Sequence, residues 1–97
     1  MKKVQDKVAL VTGGASGLGK AIAQGLISEG AKVVITDIQV ELGLSTAETF
    51  GCDFLQQDVT DEQQWNQIMA QVEEKHGALH ILVNNAGIVG PQDAKNP

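Results

Sequence analysis

The chain has 97 residues, 42% of them hydrophobic and 20% charged, with 11 glycines and a net charge of -5. That composition fits one globular domain near the small end of what buries a sizeable core, and it excludes disorder and collagen-like repetition. Seven Lys and Arg residues are too few for a surface that tracks nucleic-acid phosphates.

Lys7 to Thr12 is an apolar run without polar alternation, the pattern of a strand covered on both faces, as in a parallel sheet. From Leu18 to Glu29, Leu18, Ala21, Ile22, Gly25 and Leu26 recur at three- and four-residue spacing, which predicts a helix stopped by Gly30. Lys32 to Asp37 repeats the buried-strand pattern and completes a strand-helix-strand unit with a right-handed crossover. Val40 to Phe50 predicts a weaker helix with Val40, Leu44, Ala47 and Phe50 on one side and Gly43 diluting its propensity. Phe54 to Gln57 reads as a third strand. Thr60, with Gln63 three residues on, matches a capping box and opens a helix whose apolar stripe is Trp65, Ile68, Met69 and Val72. His76-Gly77 closes that helix, and Ile81-Leu82-Val83 is the fourth strand.

Thr12-Gly13-Gly14-Ala15-Ser16-Gly17-Leu18-Gly19 lies between the first strand and the first helix. A pyrophosphate needs negative charge met without crowding side chains, and a helix N-terminus offers free N–H groups and a partial positive charge. Gly13 is expected to make the turn out of the strand, Gly17 to bring the backbone near the phosphates, and Gly19 to let the helix pack close to the sheet. The spacing is G-x-x-x-G-x-G and departs from G-x-G-x-x-G. Asp37 stands at the end of the second strand, where a carboxylate accepts hydrogen bonds from both hydroxyls of the adenosine ribose. It would repel a 2'-phosphate, and neither Ser16 nor Ile38 brings a cation to accommodate one, so NAD is expected over NADP.

The Gly13-x-x-x-Gly17-x-Gly19 run, Asp58-Val59 and Asn84-Asn85-Ala86-Gly87 together resemble the classical short-chain dehydrogenase/reductase family, over about Lys7 to Gly90. The resemblance implies an α/β fold, a Rossmann-type doubly wound parallel sheet with strand order 3-2-1-4, of which this chain holds the N-terminal part. It also implies that Asp58 hydrogen-bonds the adenine amino group and that Val59 lines the adenine pocket. Asn85, Ala86 and Gly87 would lie beside the adenosine half, the asparagine also tying adjacent strands. The candidate cofactor-binding set is therefore Gly13, Ser16, Gly17, Leu18, Gly19, Asp37, Ile38, Asp58, Val59, Asn85, Ala86 and Gly87.

Family members run to about 250 residues as one domain and transfer a proton through a Tyr-x-x-x-Lys pair with Ser and Asn. This chain contains no tyrosine. Residues 1–97 are accordingly expected to be the N-terminal part of one NAD-binding domain, with catalytic residues downstream of Pro97 and no activity alone. The half-covered sheet and the open edge of the fourth strand are expected to make the segment marginal or aggregation-prone. Two functions follow. One is an NAD-dependent oxidoreductase moving a hydride between nicotinamide and a secondary alcohol or carbonyl, homo-oligomeric when whole. The other is a non-catalytic nucleotide-binding or interaction module complete at 97 residues. The first is favoured, because local sequence agrees with the larger fold throughout.

The remaining residues read as structural. Trp65 belongs to a core stripe, His76 caps a helix C-terminus, and Glu73, Glu74 and Lys75 form a solvated face. His80 has no partner at metal-ligand spacing, and no metal is assigned. Cys52 is a buried structural thiol, suited to a reducing compartment. The longest apolar stretch, Val8 to Val11, is too short for a membrane span or signal core despite Lys2 and Lys3, so a cytoplasmic location is expected.

Overall fold

Strands and helices alternate strictly along the chain: β1 (Val8–Thr12), α1 (Gly17–Ser28), β2 (Lys32–Asp37), α2 (Val40–Phe50), β3 (Asp53–Gln56), α3 (Glu62–His76) and β4 (Ile81–Val83). The structure, a computed structural model, describes residues 4–85. All strand pairs are parallel and the sheet order is β3-β2-β1-β4, as expected. Ala9, Val11, Val33 and Ile35 face α1 and α2, with Ala23 and Ala47 packed on them. Val8, Leu10 and Val34 face the other way, against Ile68 and Val72 of α3. Helices on both sides explain why β1 and β2 carry uninterrupted apolar runs. β4 ends the sheet on one side, and its Leu82 is 47% exposed.

Two helices turn a different face to the sheet from the one their sequence suggests. On α1 the inward residues are Gly19 and Ala23, with Ile22, Leu26 and Ile27 beside them. Leu18 is 67% exposed, and Ala21 and Gly25 also point outward. On α2 the buried residues are Gly43, Thr46 and Ala47, while Val40 and Leu44 are exposed. The cause is distance. Small side chains let these helices lie close to the strands, so that a Cβ added at Gly43 would run into the Phe54 ring. A stripe chosen by hydrophobicity overlooks residues chosen for their smallness.

α3 begins one residue later than its capping pattern suggests. The Thr60 hydroxyl and amide both donate to Asp58 Oδ1, at 2.6 and 3.0 Å, so Thr60 does not cap. Asp61 does, accepting from the amides of Gln63 and Gln64 at 3.0 and 3.3 Å. Asp61→Ala should cost about 1 kcal/mol, read as a lower urea midpoint with unchanged slope. Trp65, Ile68, Met69 and Val72 form the expected stripe.

β3 is also displaced by one residue, starting at Asp53 and leaving Gln57 just beyond its end. The Asp53 carboxylate accepts from Lys75 Nζ at 2.9 Å and lies 3.1 Å from His76 Nε2. Lys75 is thus more than a solvated residue, and His76 binds β3 instead of capping α3. Partial burial opposes ionisation of Asp53, but hydrogen bonds and charge from Lys75 and His76 outweigh it and hold the group below its ordinary range. A folded-state value below the unfolded one adds stability above about pH 4, and that stability disappears as the pH falls through the folded value. Asp53→Asn should therefore lower stability at pH 7 by less than about 1 kcal/mol. The two proteins should converge near pH 2 in acid titrations followed by circular dichroism.

Cys52 is half-buried, and burial followed by the Asp53 charge pushes its thiol up. His80 Nδ1 accepts the Val8 amide at 2.9 Å, joining the start of β1 to the approach to β4. Gln57 is 2% exposed, yet neither the nitrogen nor the oxygen of its carboxamide has a hydrogen-bond partner among the described residues. Burying an unpaired amide is costly, so Gln57→Met should raise stability by about 1 kcal/mol, measured as an increased urea midpoint.

Candidate functional site

In an open parallel sheet, ligands collect beyond the carboxyl ends of the strands where the strand order reverses. Here the reversal lies between β1 and β4. Thr12 ends β1 fully buried, its hydroxyl 3.3 Å from the Val83 carbonyl and 3.2 Å from Asn84 Oδ1. Asn85 Nδ2 makes a longer contact, 3.5 Å, with the Gly13 carbonyl. The Thr12 bonds tie the ends of the two strands together across the reversal, and Asn85 reaches the loop that follows β1. Ala86 and Gly87 lie outside the described residues.

Gly13 and Gly17 have φ of 66° and 59°, the left-handed conformation that bends the chain out of β1 and into α1. A Cβ at Gly17 would meet nothing within 4 Å among the described residues, which leave the backbone open to approach at that point. Gly19 does something other than expected. A Cβ there would strike the Gly13 carbonyl and come within 2.8 Å of Asn85 Nδ2, so its smallness serves the loop and β4 rather than helix-on-sheet packing. The close approach to the sheet belongs to Gly14, whose added Cβ would fall 2.6 Å from Ile35 Cβ. Sequence reasoning passed over Gly14, although two consecutive glycines signalled it.

Ser16 is the N-cap of α1, but its hydroxyl accepts no amide and no acidic residue occupies the first turn. The α1 terminus keeps its amides and its positive end for an anion. Asp37 reaches back into this loop: its Oδ2 accepts from the Ala15 amide at 3.2 Å, and its Oδ1 from the Gln39 amide at 3.1 Å. Leu18 and Ile38, both in the candidate set, are 67% and 60% exposed apolar residues, one in the first turn of α1 and the other just past the end of β2.

Asp58 and Val59 are held by α3. The Asp58 amide donates to Gln64 Oε1 at 2.8 Å, and Trp65 Nε1 donates to the Val59 carbonyl at 2.9 Å. The Thr60 hydroxyl, and then its amide, pull the Asp58 carboxyl below its ordinary range, which keeps it an acceptor. Gln64 was not singled out from the sequence, and Trp65 was read only as core. Their place in the first turn of α3, shortly after Asp58-Val59 in the chain, was the available signal. Ile38 and Asp58 share a cleft of about 420 Å³ with Gln56 and Gln64. A second cleft, of about 300 Å³, lies at the opposite end of β3 around Asp53, Lys75 and His76.

A family model described as short chain dehydrogenase matches residues 7–96. The chain belongs to the short-chain dehydrogenase family. It is 46% identical over 93 residues to the 3-beta-hydroxysteroid dehydrogenase of Comamonas testosteroni, an alignment covering 94% of this chain and 37% of that protein. It is 42% identical over 90 residues to the NADP-dependent (R)-specific alcohol dehydrogenase of Lentilactobacillus kefiri, covering 89% of this chain and 36% of that one. A crystal structure of a short chain dehydrogenase from Mycobacterium smegmatis superposes with a TM-score of 0.83 at 31% identity, over 87% of this chain and 37% of that one. The chain thus spans little more than a third of the length of these short-chain dehydrogenases. The relatives are oxidoreductases, and the sheet order with helices on both faces is the Rossmann-type arrangement of the family.

Proposed function

We propose that residues 1–97 supply the NAD-binding part of a single-domain oxidoreductase that moves a hydride between nicotinamide and a secondary alcohol or carbonyl. The observation that carries this reading is the Asp37 carboxylate at the end of β2, drawn into the glycine loop through the Ala15 amide. The residues present fit a dinucleotide. Open backbone at Gly17 and an uncapped, acid-free α1 terminus suit a pyrophosphate. Asp37 suits the ribose hydroxyls, with Ile38, Asp58 and Val59 around the adenine.

Nicotinamide supplies the hydride chemistry when bound, and the role of this chain is to bind and orient it. Proton transfer falls to residues outside these 97, which contain no tyrosine. A small-molecule substrate, a homo-oligomeric whole protein and a cytoplasmic location belong to the same reading. A carboxylate at position 37 favours NAD by repelling a 2'-phosphate. The NADP-dependent relative makes this preference a matter for measurement. Calorimetric titration of the natural protein carrying this sequence with both cofactors should give at least tenfold tighter binding of NAD. Equal affinities would overturn the preference, and binding of neither would overturn the reading.

A further inference from the structure

Two threonines of α2 use their hydroxyls differently. Thr49 is exposed and donates to the Ser45 carbonyl four residues back, at 3.0 Å, the local bond open to any helical threonine. Thr46 is 4% exposed and donates instead to the Ala15 carbonyl, in the middle of the glycine loop, at 3.2 Å. Ala15 is itself buried, and its amide is the one bound by Asp37. Both polar groups of one loop residue are therefore held by side chains, an acid from the end of β2 and a hydroxyl from α2. The neighbouring amide of Gly14 donates to the Thr36 carbonyl at 3.0 Å.

These tethers matter because the loop is built from glycines, which carry little conformational preference of their own. Its shape must be imposed from outside. Of the two side chains on Ala15, Asp37 is also the one that the ribose hydroxyls would engage. Thr46 is buried, and its bond to the loop makes no demand on the ligand.

We propose that Thr46 is a positioning residue for the glycine loop, its hydroxyl fixing the Ala15 carbonyl so that the α1 terminus stays aimed at the pyrophosphate. The inference rests on the dinucleotide reading of the loop. Removing the hydroxyl leaves a buried carbonyl without its donor and frees the loop to relax. Binding energy drawn from the pyrophosphate then falls, while contacts to adenosine from Asp37, Ile38 and Asp58 persist.

The test uses the natural protein carrying this sequence, with Thr46→Val, nearly isosteric but without the hydroxyl, and Thr46→Ser, which retains it. Affinities are measured for NAD+ by calorimetry and for adenosine, which lacks phosphate, by ligand-observed NMR. Thr46→Val should lose about five- to tenfold in NAD+ affinity, with adenosine affinity unchanged and Thr46→Ser close to wild type. Unchanged NAD+ affinity in Thr46→Val overturns the inference, as does a parallel loss for adenosine, which would mark a merely structural role. Should Thr46→Val not fold, Thr46→Ala against Thr46→Ser carries the same comparison. A wild-type protein that binds adenosine but gains nothing from the pyrophosphate overturns the loop reading and this inference with it. Normal wild-type binding that is indifferent to Thr46 overturns the inference alone.

Discussion

Replacing Gly19 with alanine is expected to abolish dinucleotide binding and to destabilise the fold by about 3 kcal/mol, at the upper end of the usual cost of overpacking. The reason is the identity of the obstructing atoms. A new Cβ would press on the Gly13 carbonyl oxygen and lie 2.8 Å from the carbonyl carbon, and a backbone peptide in a tight turn has nowhere to go. Moving it would displace the turn that brings the chain out of β1, and with it the amides of the α1 terminus. Gly25, one and a half turns further along α1, is the matching control. A Cβ there meets nothing within 4 Å, so Gly25→Ala should be tolerated and should gain about 1 kcal/mol from helix propensity. Urea denaturation and NAD+ titration of the two variants make the comparison. Wild-type binding by Gly19→Ala would contradict the role assigned to the loop.

Asp37→Ser should reverse the cofactor preference. Hydrogen bonds to a charged group contribute about 1.5–3 kcal/mol, so NAD+ affinity should fall by about 10- to 150-fold. NADP+ affinity should fall less or rise, because a repulsive charge has gone. Asp37 also binds the amides of Ala15 and Gln39, so part of the loss will come from a looser loop. That part is common to both cofactors and cancels in the ratio of their affinities. The ratio is therefore the quantity to measure, and a ratio unchanged from wild type would refute selection by Asp37.

The backbone plan was legible in the sequence because the signals for it are local. Continuous apolar runs located β1, β2 and β4, and the strand order followed from the family resemblance. What escaped was set by tertiary spacing. Leu18 and Leu44 looked like core residues and are exposed, whereas Ala23, Gly43 and Ala47 are buried because the helices lie close to the sheet. Hydrophobic periodicity weights side chains by size and misses an interface built from small ones. Thr60 had the right pattern for a cap, but Asp58 had already engaged its hydroxyl and amide. Competition between two local motifs is invisible to either one alone. At the candidate site, the glycines and Asp37 were visible as motif positions. The supports from Thr46, Gln64 and Trp65 come from neighbouring elements and carry no motif of their own.

The end of β2 holds two parts of the molecule at once, the glycine loop and the chain just past β3, through three hydrogen bonds. The Thr36 carbonyl accepts the Gly14 amide at 3.0 Å, the Asp37 side chain accepts the Ala15 amide at 3.2 Å, and the Asp37 carbonyl accepts the Gln57 amide at 3.1 Å. Side chains on a strand alternate between its faces, so inserting or deleting one residue in β2 would swap the directions of Thr36 and Asp37. All three connections would be lost in one step, whichever residue was added or removed. The side chain at position 37 can thus be exchanged with the backbone of β2 left in register, whereas a change in the number of residues that precede it in the strand breaks all three bonds together.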